Sequence, residues 1–277
     1  MTLRIVAWND IEQRLVRTSK DPADIIGSIV LDTVDADSVS IPLGATSVSA
    51  TYSYTFGSAD SYALVVNLTN LIDSSVQYQP VIVTSKTTSG FTAIWNVPTD
   101  TANYKIDYIA VSPVLSFIAN VESILNNTTS HTALLLSAAS YATIPQVVNE
   151  IDATPFILHP VCISSKTSTD FTTKWNMPTD SSNYKMHWMA SYTSSAMLKS
   201  GVKPISTLAT TATVSFAFPA LSSGSYVVIP RMSNLTDGSS LLQQVVVTEK
   251  TLTSFTAKWN QPVDSANYRL DWILKTT

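Results

Sequence analysis

Aromatic, amide and carboxylate side chains recur together at three places in the chain, in the segments FTAIWNVPTDTANY, FTTKWNMPTDSSNY and FTAKWNQPVDSANY. An exposed aromatic ring stacks on the C–H face of a sugar, and amides and carboxylates bind its hydroxyl groups. The pattern therefore nominates three equivalent carbohydrate sites. Their residues are Trp95, Asn96, Asp100, Asn103 and Tyr104; Trp175, Asn176, Asp180, Asn183 and Tyr184; and Trp259, Asn260, Asp264, Asn267 and Tyr268.

The same residues have a purely structural interpretation, in which the rings fill a core and the Asp and Asn side chains hold a turn. A second conspicuous set in so weakly charged a chain consists of cations, namely Lys86, Lys166 and Lys250, with Lys105, Lys185 and Arg269. They are expected either to pair at the surface with Asp107 or Asp271 across strands, or to meet an acidic glycan or a neighbouring subunit.

The three segments belong to an internal repeat, because their tryptophans are 80 and 84 residues apart and the flanking sequence aligns without gaps. Upstream, SYALVVNLTNLIDSS aligns with SYVVIPRMSNLTDGS, and YATIPQVVNEID is a weaker match. Three modules of this size are typical of small β-sandwiches. The predicted domains are an N-terminal anchor over 1–38 and sandwich repeats over 39–112, 113–192 and 193–277.

Alternation with a period of two predicts the strands that position the candidate sites. Phe91, Ala93, Trp95 and Val97 should face the core, after a hairpin that begins near Val81. The Tyr104 strand follows the turn. Its other face carries Lys105 and Asp107, or Lys185 and His187, or Arg269 and Asp271, and is expected to be solvated.

The N-terminal segment is predicted to dock the chain onto something else. Asp21 and Pro22 favour a short helix over 21–30, and Trp8, Ile11 and Leu15 fit one helical face before it. A strand swapped onto the first module is the alternative.

Composition excludes several classes of function. A net charge of −4 without a basic run argues against nucleic-acid binding, and no apolar stretch is long enough to insert into a membrane. The chain has no metal-binding His pattern and no nucleophile or phosphate-binding motif, so neither an enzyme, a cofactor nor a metal site is expected. The single cysteine, Cys162, replaces an apolar residue of the other repeats and should be buried.

The end of each repeat resembles the H-type lectin modules, which are six-stranded antiparallel sandwiches known from invertebrate agglutinins and phage tail proteins. The matching residues are Gly90, Phe91, Trp95, Asp100, Tyr104, Tyr108, Ile109 and Ala110; Phe171, Trp175, Asp180, Tyr184, Trp188 and Ala190; and Phe255, Trp259, Asp264, Tyr268 and Trp272. The resemblance implies a homotrimer or hexamer and binding of N-acetylgalactosamine-type sugars.

Together these features predict an all-β virion protein of a bacteriophage, assembled in the host cytoplasm, that forms a fibre or decoration of head or tail. The anchor would bind other virion proteins, and the modules would attach to host-surface carbohydrate. Low charge, a surface rich in Ser and Thr, and no secretion signal at the start of the chain support this expectation. A purely structural spacer and an extracellular fibronectin-III-like module remain as alternatives.

Overall fold

The computed structural model describes residues 6–9, 14–17, 34–112, 118–124, 128–132, 141–149, 151–152, 160–191, 198–216, 226–237 and 241–276. Over these residues the protein is all-β, as predicted. Each repeat contributes six strands, and a 3-10 turn spans Ala59–Ser61. Repeat 1 has β3 (Val34–Ser40), β4 (Ser47–Thr51), β5 (Ala63–Asn70), β6 (Ile82–Thr84), β7 (Gly90–Ile94) and β8 (Tyr104–Val111). Repeat 2 has β9 (Ile118–Ser123), β10 (Thr128–Thr132), β11 (Ala142–Asn149), β12 (Cys162–Lys166), β13 (Asp170–Lys174) and β14 (Tyr184–Ser191). Repeat 3 has β15 (Leu198–Pro204), β16 (Thr211–Ser215), β17 (Tyr226–Asn234), β18 (Val246–Lys250), β19 (Ser254–Lys258) and β20 (Tyr268–Thr276).

The N-terminal hairpin forms a separate two-stranded sheet from β1 (Val6–Asn9) and β2 (Arg14–Arg17). Trp8 pairs with Leu15 across this hairpin, so their predicted place on a helical face is wrong, and Ile11 lies outside the described residues. The helix predicted over 21–30 lies outside the described residues. Repeat 1 begins at Val34, inside the segment predicted as the anchor.

Every repeat splits into two antiparallel half-sheets of three strands. In repeat 1 one half-sheet is β3–β8–β5, which we call the axial half-sheet because it lines the axis of the ring described below. The other is β4–β7–β6, which we call the outer half-sheet. Tyr104, Ile106 and Tyr108 on the axial half-sheet pack against Phe91 and Trp95 from the outer one. The two predicted hairpin strands and the Tyr strand are thus the last elements of each sandwich, and their inward alternation is confirmed. Val97 is an exception, because it lies beyond the end of β7 and is 52% exposed.

The half-sheets of neighbouring repeats join into continuous six-stranded sheets. The outer half-sheet of repeat 1 joins the axial half-sheet of repeat 2, repeat 2 joins repeat 3 in the same way, and repeat 3 joins repeat 1. A short parallel pairing makes each junction, and we call these junctions seam 1–2, seam 2–3 and seam 3–1. The pairs are Val83 with Val148, Ile163 with Ser233, and Val247 with Thr69. Because each repeat contacts the next in the same way and the third contacts the first, the repeats form a closed ring with threefold pseudosymmetry.

The second face of every axial half-sheet is buried at the centre of this ring. β5, β11 and β17 contact one another there. An apolar cluster from all three repeats fills the axis, and it includes Val65, Ile109, Ile144, Val227 and Ile273. The prediction of a solvated face is therefore wrong for Asp107, His187 and Asp271, because this face of each repeat becomes an interface with the other two. It is confirmed for Lys105 and Arg269, which are exposed near the start of their strands.

Three equivalent polar residues, Asn67, Gln146 and Arg231, meet at the same level of the axis. The Arg231 guanidinium donates to Asn67 Oδ1 at 3.2 Å and Gln146 Oε1 at 2.8 Å, and to the backbone oxygens of Val66, Pro145 and Pro230. Burial lowers the pKa of Arg231 to about 10, so the group stays charged at neutral pH. Five oxygen acceptors, contributed by all three repeats, therefore hydrogen-bond this one buried cation.

Aromatic pairs repeat inside each sandwich. The rings of Phe91 and Tyr108, Phe171 and Trp188, and Phe255 and Trp272 meet edge to face, with interplanar angles of 75°, 80° and 71°. In repeat 3, Gly201 pairs with Trp272 across β15 and β20. A Cβ atom on Gly201 would lie 2.7 Å from Cζ2 of the Trp272 indole, so the ring occupies the space of the missing side chain.

We expect Gly201→Ala to lower the free energy of unfolding by about 1–3 kcal/mol, because the added methyl group forces the Trp272 ring to move within a packed core. The matched control is Asn120→Ala, at the exposed position that pairs with Trp188 in repeat 2. This variant should change the stability by less than about 0.5 kcal/mol. Denaturant unfolding measures both, and equal effects would contradict the packing argument.

Candidate functional site

The six aromatic rings nominated for sugar stacking are all buried in the sandwich cores. The indole Nε1 groups of Trp95 and Trp259 donate to the carbonyl oxygens of Ala45 and Ala209, each at 3.0 Å. None of these rings offers a face to a ligand at the surface, which corrects their assignment as a stacking platform. The rings belong to Trp95, Tyr104, Trp175, Tyr184, Trp259 and Tyr268.

The tyrosines also hold the chain segment that precedes β6 and β18. The hydroxyl of Tyr104 accepts a hydrogen bond from the backbone N–H of Gln77, and the hydroxyl of Tyr268 accepts one from Leu241, each at 2.6 Å. Burial raises the pKa of both phenols. These tyrosines therefore have a structural role, as expected for rings at inward positions of alternating strands.

The nominated polar residues lie on the loops that follow the Trp positions. Six of them are exposed, and Asn103, Asn183 and Asn267 are half-buried. The exposed ones are Asn96, Asp100, Asn176, Asp180, Asn260 and Asp264. A threefold rotation preserves direction along its axis, so the three equivalent loops lie at one end of the ring, which we call the loop end.

Three acids outside the predicted sites organise the loop end, namely Asp73, Asp152 and Asp237. Asp73 accepts hydrogen bonds from Asn70 Nδ2 at 2.7 Å, Thr101 Oγ1 at 2.6 Å and Asn103 Nδ2 at 2.8 Å. Asp152 and Asp237 have the same three kinds of partner in their own repeats. The recurrence of Asn-x-x-Asp in NLID, NEID and NLTD is the signal that could have revealed them.

The Asn of each tetrapeptide also closes its own turn. Asn70 Oδ1 accepts from the backbone N–H groups of Ile72 and Asp73, at 3.1 and 3.0 Å. Asn103 therefore ties two loops together through Asp73 rather than bonding only within its own turn. The result is a preformed surface loop in every repeat.

Exposed apolar side chains lie beside these loops in repeats 1 and 2. Ile72 is 74% exposed and Ile151, its equivalent, 70%. Val97 and Met177 form a second such pair, whereas repeat 3 has Thr236 and Gln261 at the matching positions. The loop end is therefore pseudosymmetric in backbone but uneven in surface chemistry.

Buried ion pairs cross two of the seams. Lys250 pairs with Asp107 across seam 3–1, and Lys166 pairs with Asp271 across seam 2–3. Both carboxylates are fully buried, which corrects the expectation that these charges lie on a solvated face. Each lysine ammonium also donates to a backbone oxygen of its own repeat, that of Tyr226 or Tyr141.

Serine hydroxyls complete the carboxylate shells. Ser38 Oγ donates to Asp107 Oδ1 at 2.5 Å, and Ser233 Oγ donates to Asp271 Oδ1 at 2.9 Å. Asp271 also accepts from the backbone N–H of Thr143. Such fully bonded pairs specify which surfaces meet, more than they add stability.

Other chemistry-bearing groups do not form a site within the described residues. Cys162 is buried, and burial raises the pKa of its thiol to about 12, so it is a poor nucleophile. The described part of the chain contains no group of three or more His, Cys, Asp or Glu side chains able to hold a metal ion. It also contains no helix with the length and apolar character needed to cross a membrane.

Comparisons with protein-family models, with curated proteins and with solved structures found no match to this chain.

We expect the pKa of Asp73 to lie below the usual Asp range, because the side chains of Asn70, Thr101 and Asn103 donate to its charged form. Folding is then stabilised above the ordinary Asp pKa of about 3.9, and this contribution is lost as the pH falls through the lower folded value. Carboxyl ¹³C NMR titration measures the shift. Asn103→Ala should raise the pKa of Asp73 and leave those of Asp152 and Asp237 unchanged as internal controls.

We expect Asp271→Asn to destabilise the ring by about 3–5 kcal/mol, because it leaves the Lys166 ammonium buried without its counter-ion. Adding Lys166→Met to Asp271→Asn removes the unpaired ammonium, keeps an amide oxygen as acceptor for the Thr143 N–H, and should recover part of the loss. Chemical denaturation compares the two proteins with the unmodified chain. A loss below about 1 kcal/mol for the single variant, which is typical of surface pairs, would refute the buried pair.

Proposed function

We propose that this chain is a structural protein of a bacteriophage particle, a fibre or decoration protein of head or tail that is assembled in the host cytoplasm. The observation that carries the proposal is the closed ring of three repeats. One chain thereby presents three equivalent surfaces around an axis, which suits attachment along a symmetric appendage or at a threefold position. Low net charge and a surface rich in Ser and Thr are consistent with exposure on a particle.

The shared sheets favour a spacer or reinforcing role. A repeat cannot leave the ring without breaking two six-stranded sheets, since its outer half-sheet continues into one neighbour and its axial half-sheet into the other. Removal of any one repeat would also break at least one of the two buried ion pairs and part of the hydrogen bonding of Arg231. Such a body resists deformation without requiring a ligand.

Attachment to host-surface carbohydrate is the second candidate function, and the threefold loop end is the observation that favours it. Exposed amides and carboxylates occur there in triplicate, and three weak sites on one body gain avidity. Since the nominated rings are buried, such binding would depend on the polar loop residues. The structural role is therefore the one that the geometry supports best.

The proposed homotrimer or hexamer needs its own measurement. The three-way association that the lectin resemblance implies between chains is made here between repeats of one chain. Light scattering distinguishes a single 30.0 kDa chain from its multiples.

The structural proposal predicts that deleting residues 1–33 abolishes incorporation into particles, because this segment would carry the contact with other virion proteins. The ring, which begins at Val34, should keep its near-UV circular dichroism. Mass spectrometry of purified particles measures incorporation of the full chain and of the deletion variant. Absence of the full chain from particles would reject the proposal, and equal incorporation of both would reject the role of the segment.

A loop variant separates the structural role from attachment. It combines alanine at Asn96, Asp100, Asn176, Asp180, Asn260 and Asp264, which are all exposed and should be replaceable at little cost in stability. A spacer should tolerate this variant, with normal incorporation and normal cell binding by the particle. Loss of cell binding at normal incorporation would instead establish the adhesin role.

A further inference from the structure

The three seams place one lysine against one equivalent position of the next repeat, and that position differs at seam 1–2. Lys166 faces Asp271 and Lys250 faces Asp107. The residue of repeat 2 at this position is His187. The ring therefore has carboxylates at two seams and an imidazole at the third.

His187 is completely buried, and its two ring nitrogens have different surroundings. Nδ1 accepts a hydrogen bond at 3.2 Å from the backbone N–H of Leu64, which lies on β5 in the axial half-sheet of repeat 1. Nε2 has no hydrogen-bond partner among the residues that the structure describes. An Nδ1 that accepts carries no proton, so the ring is the neutral tautomer with its hydrogen on Nε2. Adding a proton would place it on Nδ1 and break the bond with Leu64, because two donors would then face each other.

Among the described residues, the charged groups that act on His187 are two lysines. Lys86 approaches from the end of β6 across the seam, with its ammonium 4.1 Å from the centre of the Tyr62 ring, and Lys185 lies on the same strand as His187. The residues paired with His187 on the flanking strands are the uncharged Gln146 on β11 and Val121 on β9. Burial, followed by the two lysines, lowers the pKa of His187 well below its ordinary value.

We infer that seam 1–2 is an acid-sensitive opening point of the ring, at which protonation of His187 separates repeat 1 from repeat 2 while the other seams stay closed. The imidazole keeps a lower proton affinity when the seam is closed than when water reaches it. The open state therefore binds more protons, so closure is fully supported above about pH 6.5 and weakens as the pH falls below it. This inference concerns the ring alone and does not depend on the proposed function.

Hydrogen exchange on the full chain tests the inference, between about pH 7.5 and pH 5, the range in which an unperturbed histidine titrates. After correction for intrinsic exchange, the opening equilibrium of peptides containing Leu64 and Val148 should rise up to about tenfold per pH unit below about pH 6.5. Peptides at seam 2–3, which contain Ile163 or Ser233, should lack this rise. Because β5 carries both Leu64 and the seam 3–1 residue Thr69, seam 3–1 is followed on β18, where peptides that contain Val247 should also lack it.

Variants at equivalent positions provide the controls. His187→Asn cannot titrate and should remove the rise, and His187→Asp, which places a carboxylate opposite Lys86, should remove it as well. Asp271→His should create the same rise at seam 2–3. If Asp271→His does not fold, the two variants at position 187 still show whether His187 causes the rise. A pH-independent seam 1–2, an equal rise at all three seams, or a rise that persists in His187→Asn would each overturn the inference.

Discussion

The parallel strand pairing at the three seams is the interaction on which the rest of the structure depends. Each pairing is short, yet it turns two three-stranded half-sheets into one six-stranded sheet and fixes the next repeat in place. It also buries the second face of every axial half-sheet and brings together residues more than a hundred positions apart, such as Lys250 and Asp107. The third pairing joins repeat 3 back to repeat 1. Loss of any one strand pairing therefore also weakens the hold of the other two pairings on the positions of the repeats.

The strand pattern and the repeat predicted the sandwiches well but could not reveal the ring. Alternation identifies two faces of the Tyr104 strand and shows that they differ, but it does not show that the polar face meets water. Asp107 and Asp271 are charged and buried because a lysine from another repeat satisfies them. No local pattern reports a partner at that distance. The nearly continuous apolar run from Tyr62 to Val66 was the available hint, since strands buried on both faces have this composition.

The candidate sugar sites show the same limit. Conservation of Trp95, Asn96, Asp100, Asn103 and Tyr104 among the repeats identified residues that a common backbone requires, and the structure divides them between core and loop. The rings pack inside, whereas Asn96 and Asp100 lie outside. Asp73 was overlooked because it lies far from the Trp segment in sequence, although it binds Asn103 directly. A cluster in sequence is therefore not a cluster in space.

The mixed trio of Asn67, Gln146 and Arg231 shows what linking three repeats in one polypeptide makes possible. Separate identical subunits must present the same side chain three times at a rotation axis. Three guanidinium groups there would repel one another in a buried space. Repeats on one chain can carry different side chains at equivalent positions, so one long cation and two amides fit together at the axis. The centre of the molecule is therefore asymmetric in chemistry although its backbone keeps the threefold pseudosymmetry.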